Sequence, residues 1–158
     1  MSNALKPNDF WQTPQYIWAV INEFNSHQTV DMAPISTLED GYTLDSLAIP
    51  WPATAKCYIN PPFSQYLAWA KHGIKQGGEQ IWMCNHDHST ERLNILLRRA
   101  TAVCLLTKRV AFIDPATGQA VKGNNTCQSL VYIPAQRDRT SEFTDTFSRL
   151  GICMEVVR

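Results

Sequence analysis

Glycine is scarce in this chain, seven residues in 158, and none occurs before Gly41. The glycine-rich turn by which many open α/β sheets approach a cofactor is therefore missing after the first strand-like segment. No apolar run approaches the roughly 20 residues that span a bilayer, and the opening Met1–Lys6 has no signal-peptide pattern, so a soluble, cytoplasmic protein is expected. Net charge is also lacking: 14 basic side chains balance 14 acidic ones, which argues against a simple polybasic nucleic-acid binder. Cysteines occur, but as an odd, unpaired set: Cys57, Cys84, Cys104, Cys127 and Cys153. Three sit in apolar runs and none has metal-site spacing, so they read as reduced thiols rather than disulfides or zinc ligands, and no metal is expected. Internal repeats, low-complexity tracts and an interdomain linker are absent as well.

What is present is globular. A hydrophobic fraction of 44% suffices for a packed core at this length, so one domain over residues 1–158 is expected, with 1–9 as a flexible tail. The charges are unevenly spread. Residues 1–91 hold 4 basic and 9 acidic side chains (−5), and residues 92–158 hold 10 basic and 5 acidic (+5), so the second half is suited to face phosphates.

Thr13-Pro14 reads as a helix start, an oxygen at the N-cap and a proline at the first helical position. Ile17, Val20, Ile21 and Phe24 then recur at helical spacing, predicting a helix over 14–25. A strand over 29–32 carries Asp31, and residues 33–54 are irregular. A strand over 55–59 follows, then a helix capped by Ser64 and stopped at Gly77-Gly78. Residues 80–84 form a strand, 89–100 a helix and 101–106 a strand. Strands over 109–113 and 129–133 flank the turn 114–118. A helix over 140–150 and a strand over 152–157 close the chain. Alternation of this kind predicts an α/β fold, a mostly parallel sheet with an antiparallel C-terminal part and helices on both faces.

The most informative segment is Asn60-Pro61-Pro62-Phe63, placed directly after an apolar strand. Two prolines stiffen the loop, bias the residues before them away from helix, and leave main-chain carbonyls without local amide partners. One amide oxygen, one rigid carbonyl and one ring suit a planar group that donates two hydrogens from a single amino nitrogen. An exocyclic nucleobase amine is such a group.

With these pieces in order, the chain resembles the S-adenosylmethionine-dependent amino-methyltransferases, and among them the phage and prophage DNA N-6-adenine methyltransferases, the small Dam-like family. The resemblance rests on Trp11-Gln12-Thr13-Pro14, Asp31-Met32-Ala33, Asp45-Ser46-Leu47 ahead of Trp51, the Asn-Pro-Pro-Phe loop, Trp69, and Lys108-Arg109-Val110-Ala111-Phe112-Ile113. It covers roughly residues 10–134 and implies a Rossmann-like (class I methyltransferase) domain. It assigns S-adenosylmethionine binding to Trp11, Thr13, Pro14, Asp31, Asp45 and Asn60, with Glu39 and Asp40 as candidates for the ribose. It also implies catalysis at Asn60, Pro61, Pro62 and Phe63 on an adenine flipped out of duplex DNA. Arg92, Arg98, Arg99, Lys108, Arg109 and Lys122 are the expected phosphate contacts, with specificity carried by loops 33–54 and 114–128.

Asn85-His86-Asp87-His88 also follows a strand. It reads as a pocket-lining loop, since further ligands for a metal are not visible. Trp18, Trp69 and Trp82 are expected in the core. Three other readings share these residues: a protein glutamine N-methyltransferase, because a carboxamide poses the same problem as an adenine amine; a lapsed relative that only binds nucleic acid; and a rigid turn in an unrelated α/β domain.

Overall fold

The computed structural model describes residues 5–37, 41–42 and 46–158. Eight strands and four α-helices are defined among them: α1 (Gln15–Phe24), β1 (Thr29–Asp31), β2 (Ile35–Thr37), β3 (Gly41–Tyr42), β4 (Lys56–Ile59), α2 (Tyr66–Gly73), β5 (Glu79–Asn85), α3 (Glu91–Leu97), β6 (Ala102–Leu106), β7 (Gln128–Ile133), α4 (Thr140–Phe147) and β8 (Gly151–Glu155). Six strands make one sheet in the order β1-β4-β5-β7-β6-β8, and β2 and β3 form a separate hairpin.

Strands β1, β4 and β5 pair in parallel, whereas β5–β7, β7–β6 and β6–β8 pair antiparallel. It follows that β1, β4, β5 and β6 run one way and β7 and β8 the other. The expected antiparallel part is there. The sheet is nevertheless mixed rather than mostly parallel, because β7 inserts between β5 and β6 and turns both of their contacts antiparallel.

Side-chain alternation sends successive strand residues to opposite faces. Cys57, Ile59, Trp82, Cys84, Val103 and Val131 pack under α2 and α3, around Trp69 and Leu96. Tyr58, Ile81, Met83, Cys104, Leu130 and Tyr132 pack under α1 and α4, around Ile21, Phe24 and Phe143. Helices therefore cover both faces, as the alternation of elements implied. No helix among the described residues is long and apolar enough to cross a membrane.

Several local expectations need correction. Residues 109–113 are not a strand; only Ile113 forms isolated bridges, to Gln12 and Ala120. The helix after the proline loop begins at Tyr66 rather than at Ser64, behind a 3-10 turn over Phe63–Gln65. It ends near Gly73, and Gly78 (φ +87°) then turns the chain into β5, where a Cβ would meet the Ala55 and Pro52 carbonyls at 2.9 Å. Within the segment read as a tail, Pro7–Phe10 form a 3-10 turn and Asp9 is buried.

Candidate active site

The parallel pairing of β1 with β4 sets Asp31 opposite Tyr58, two residues before Asn60. An acid and an amide thus stand beyond the carboxyl ends of adjacent parallel strands, the edge where open α/β sheets bind ligands. The chain's first turns fold over this edge. Gln12 N–H donates to the Ile113 carbonyl (2.8 Å), and Ile113 N–H returns a bond to Gln12 O (2.9 Å), fixing the 11–13 segment beside the proline loop.

Thr13 does not cap α1. Pro14 occupies the N-cap with no side-chain cap bond, and the Thr13 hydroxyl turns inward, 2.6 Å from the Tyr58 hydroxyl. The Asn60 amide nitrogen donates to Thr13 Oγ1 (3.3 Å) and to the Trp11 carbonyl (3.4 Å). A main-chain carbonyl only accepts, so the amide nitrogen must face Trp11, and Asn60 Oδ1 is turned to the other side. Pro61 and Pro62 are buried, and the Pro62 carbonyl accepts from Gln65 N–H (3.0 Å). Of the loop's main-chain oxygens, that of Pro62 is therefore committed to the 3-10 turn.

Trp11, Thr13, Asp31 and Asn60 line one cavity of about 310 Å³, together with Gln12, Gln15, Trp18, Ala33 and Tyr58. Four of the six expected cofactor residues are thereby brought together, with Pro14 adjoining them at the start of α1. Asp45, Glu39 and Asp40 lie outside the described residues. Burial pushes the Asp31 carboxyl up to about 6, offset in part by a hydrogen bond from Ala33 N–H (3.0 Å). No ion pair involving Asp31 occurs among the described residues. Asp31 thus brings a half-buried carboxyl to the cavity.

Phe63 is half-buried and meets Phe112 edge-on (centroids 6.2 Å apart, 81°), while Trp11 stacks on the same ring at 6.1 Å. Trp18, expected in the core, lines the cavity and meets Tyr58 edge-on at 4.6 Å. Trp51 is buried and donates its indole N–H to the Ser46 carbonyl (2.8 Å).

The expected phosphate contacts divide. Lys108, Arg109 and Lys122 are exposed on the segment between β6 and β7, which enters and leaves the sheet at the Asn60 edge. Arg92, at the start of α3, sits 5.9 Å from the Tyr66 ring centroid on the same side. Arg98 and Arg99 lie at the far end of α3, just before β6 begins, so they belong to the opposite edge and are not brought to the site. The His86 ring bonds Ser129 Oγ (3.1 Å), and no group of three or more metal-ligating side chains occurs among the described residues.

A larger cavity, about 550 Å³, opens at that opposite edge. Its charged groups already satisfy one another: Arg139 bonds Glu79 (2.9 Å), Glu142 (2.7 Å) and the Phe24 carbonyl (2.6 Å), and Tyr132 donates to Glu79 (2.8 Å). It reads as a structural cluster.

Sequence reasoning missed Tyr58, Phe112 and Asp9. Tyr58 was hidden as one apolar strand residue among several, and Phe112 inside a segment read as a strand. Asp9 fell in the supposed tail.

The family described as DNA N-6-adenine-methyltransferase (Dam) matches residues 2–150. The chain belongs to that family. A relative from Haemophilus phage HP1 (strain HP1c1), described as "DNA N-6-adenine-methyltransferase", is 27% identical over 142 residues, covering 82% of each chain. No solved structure gives a significant match. Membership in the DNA N-6-adenine-methyltransferase family makes the chain a methyltransferase of adenine in DNA, as the Asn-Pro-Pro-Phe loop implied.

Proposed function

We propose that this DNA N-6-adenine methyltransferase binds S-adenosylmethionine in the 310 Å³ cavity and methylates an adenine flipped out of duplex DNA against the Asn60–Phe63 loop. The observation that carries this is the anchored Asn60 amide, whose nitrogen is held by Trp11 and Thr13 so that its oxygen faces away from them. The sheet is then a shortened class I methyltransferase fold: the acid-bearing β1 lies beside the catalytic β4, and a reversed β7 sits between β5 and β6. Its setting is the cytoplasm in which the DNA is found.

The residues fit the cofactor. The cavity is within the range of small-ligand sites, and Asp31 offers a desolvated carboxylate to the amino-acid ammonium. Trp11 and Trp18 supply apolar walls. When bound, S-adenosylmethionine supplies an electrophilic methyl group on a sulfonium sulfur.

An adenine amine is a weak nucleophile because its lone pair is delocalised into the ring. Asn60 Oδ1 and the Pro61 carbonyl each accept one of its hydrogens, drawing the nitrogen toward tetrahedral geometry and directing its lone pair at the methyl carbon. The nitrogen so held would take the methyl group that bound S-adenosylmethionine supplies from its sulfonium sulfur, and its excess proton would leave to water. Positioning and electrostatics suffice, so no side-chain nucleophile is needed. Phe63 stacks on the base, a contact worth about 1–3 kcal/mol. Arg92, Lys108, Arg109 and Lys122 hold the flanking phosphates.

The reading is tested by incubating the enzyme with methyl-labelled S-adenosylmethionine, unmethylated DNA and a glutamine-bearing protein control, then digesting both. Label recovered as N-6-methyladenine supports it. Label confined to protein glutamine would replace it with the carboxamide alternative.

A further inference from the structure

Asp9 lies outside every motif that the reaction uses, yet it is among the most buried acidic side chains described. It accepts hydrogen bonds from Lys6 N–H (2.7 Å), from Ser64 N–H (2.9 Å) and from the Ser64 hydroxyl (2.6 Å). Ser64 is the residue directly after Phe63. The 7–14 strap and the 60–65 loop are therefore joined at two points: at the start of the loop, where the Asn60 amide meets Trp11 and Thr13, and at its end, where Ser64 meets Asp9.

The two joints differ in strength. Those at Asn60 are neutral and long, 3.3 and 3.4 Å, whereas those at Ser64 are short and, with a carboxylate acceptor, charge-assisted. Between them stand Pro61, Pro62 and Phe63, the atoms that are to meet the base. The same contact explains why Ser64 does not cap α2: its hydroxyl is spent on Asp9.

We propose that Asp9 is a positioning residue of the methyl-transfer site, fastening the strap to the catalytic loop through Ser64 so that the Asn60 oxygen, the Pro61 carbonyl and the Phe63 ring keep one fixed relation. This rests on the function proposed above. A displacement of about 1 Å at such a site costs up to about a hundredfold in rate.

The test uses Asp9→Ala, Ser64→Ala, the double variant and Ser64→Thr, with two readouts: kcat and KM for DNA methylation, and amide hydrogen exchange of the ligand-free protein. The expected result is a kcat roughly tenfold or more lower in Asp9→Ala and a smaller loss in Ser64→Ala. The double variant should be no worse than Asp9→Ala alone, and Ser64→Thr should restore kcat because it keeps the hydroxyl. Exchange should quicken at 11–13 and at the amides of 63–65 while β5 and β7 stay protected. Unchanged kcat with lowered thermal stability, or losses that multiply in the double variant, would overturn the proposal. If the wild-type enzyme leaves DNA unmethylated, the functional reading fails, and the exchange comparison alone decides: paired acceleration of the two segments upholds the link, and its absence overturns it.

Discussion

Thr13 Oγ1 lies 2.6 Å from the Tyr58 hydroxyl, and the same oxygen takes a hydrogen bond from the Asn60 amide at 3.3 Å. A strap residue expected to begin a helix thus joins a core tyrosine to the Asn60 amide. Replacement of Thr13 by isosteric Val removes both contacts and leaves the buried Tyr58 hydroxyl without this partner. We expect stability to fall by about 1–3 kcal/mol in denaturant titration. We also expect kcat to drop about tenfold or more, because the Asn60 amide loses one of its two anchors.

With Asp31 as the proposed partner of the cofactor's ammonium, cofactor binding should depend on pH. Its carboxyl is raised to about 6 by burial, so it is ionised at pH 7.5 and protonated at pH 5. Calorimetric affinity for S-adenosylmethionine should hold above pH 7 and weaken as pH falls through 6; a flat profile between pH 5 and 8 would argue against an Asp31–ammonium contact. The ligand-free protein should respond in the opposite sense. A carboxyl whose folded-state value exceeds its unfolded one keeps a proton that the unfolded chain releases, so stability declines as pH rises from the unfolded value of 3.8 to about 6 and is level above it. Asp31→Asn should therefore raise the Tm of the ligand-free protein at pH 7.5, by a smaller amount at pH 5 and hardly at all below the ordinary carboxylate range, while weakening cofactor binding.

The division of basic residues between the two sheet edges is measurable through salt. Joint replacement of Lys108, Arg109 and Lys122 by Ala should weaken DNA binding and reduce the slope of log affinity against log salt by about 0.9 per lost phosphate contact. Replacement of Arg98 and Arg99, at the opposite edge, should leave both quantities unchanged. A slope altered by the second pair but not by the first set would reverse the assigned binding face.

At that opposite edge the Glu79–Arg139 ion pair is nearly dry, with side-chain exposures of 8% and 14%. Glu79→Ala leaves the Arg139 guanidinium without its more buried carboxylate partner and removes the acceptor of the Tyr132 hydroxyl. Loss of one member of such a pair costs about 3–5 kcal/mol, which chemical denaturation would read directly. Cofactor affinity should change little in the fraction that remains folded.

Local chemistry explains what was legible beforehand. Asn60-Pro61-Pro62-Phe63 announced itself because two prolines dictate backbone shape regardless of context, and the helix over Ile17–Phe24 because its apolar spacing is strict. Both layers of helices followed from alternation. The mixed sheet was less legible because the place of β7 between β5 and β6 depends on tertiary pairing, which no local pattern records. Thr13 and Ser64 each looked like helix caps, the commonest use of a hydroxyl before a helix. In both, a longer-range partner won: Tyr58 and Asn60 for Thr13, Asp9 for Ser64. Arg98 and Arg99 were counted with Arg92 because all lie in the basic second half of the chain, although α3 carries its two ends toward opposite edges of the sheet.

The central claim is that Asn60 presents its oxygen to the target amine. Its most direct test is the single-turnover rate of methyl transfer to unmethylated DNA by Asn60→Ala, measured at saturating cofactor and DNA. Loss of one preorganised acceptor of this kind is expected to slow transfer by about 10²–10³-fold while DNA affinity is retained. A wild-type rate in the variant, as N-6-methyladenine, would contradict the account.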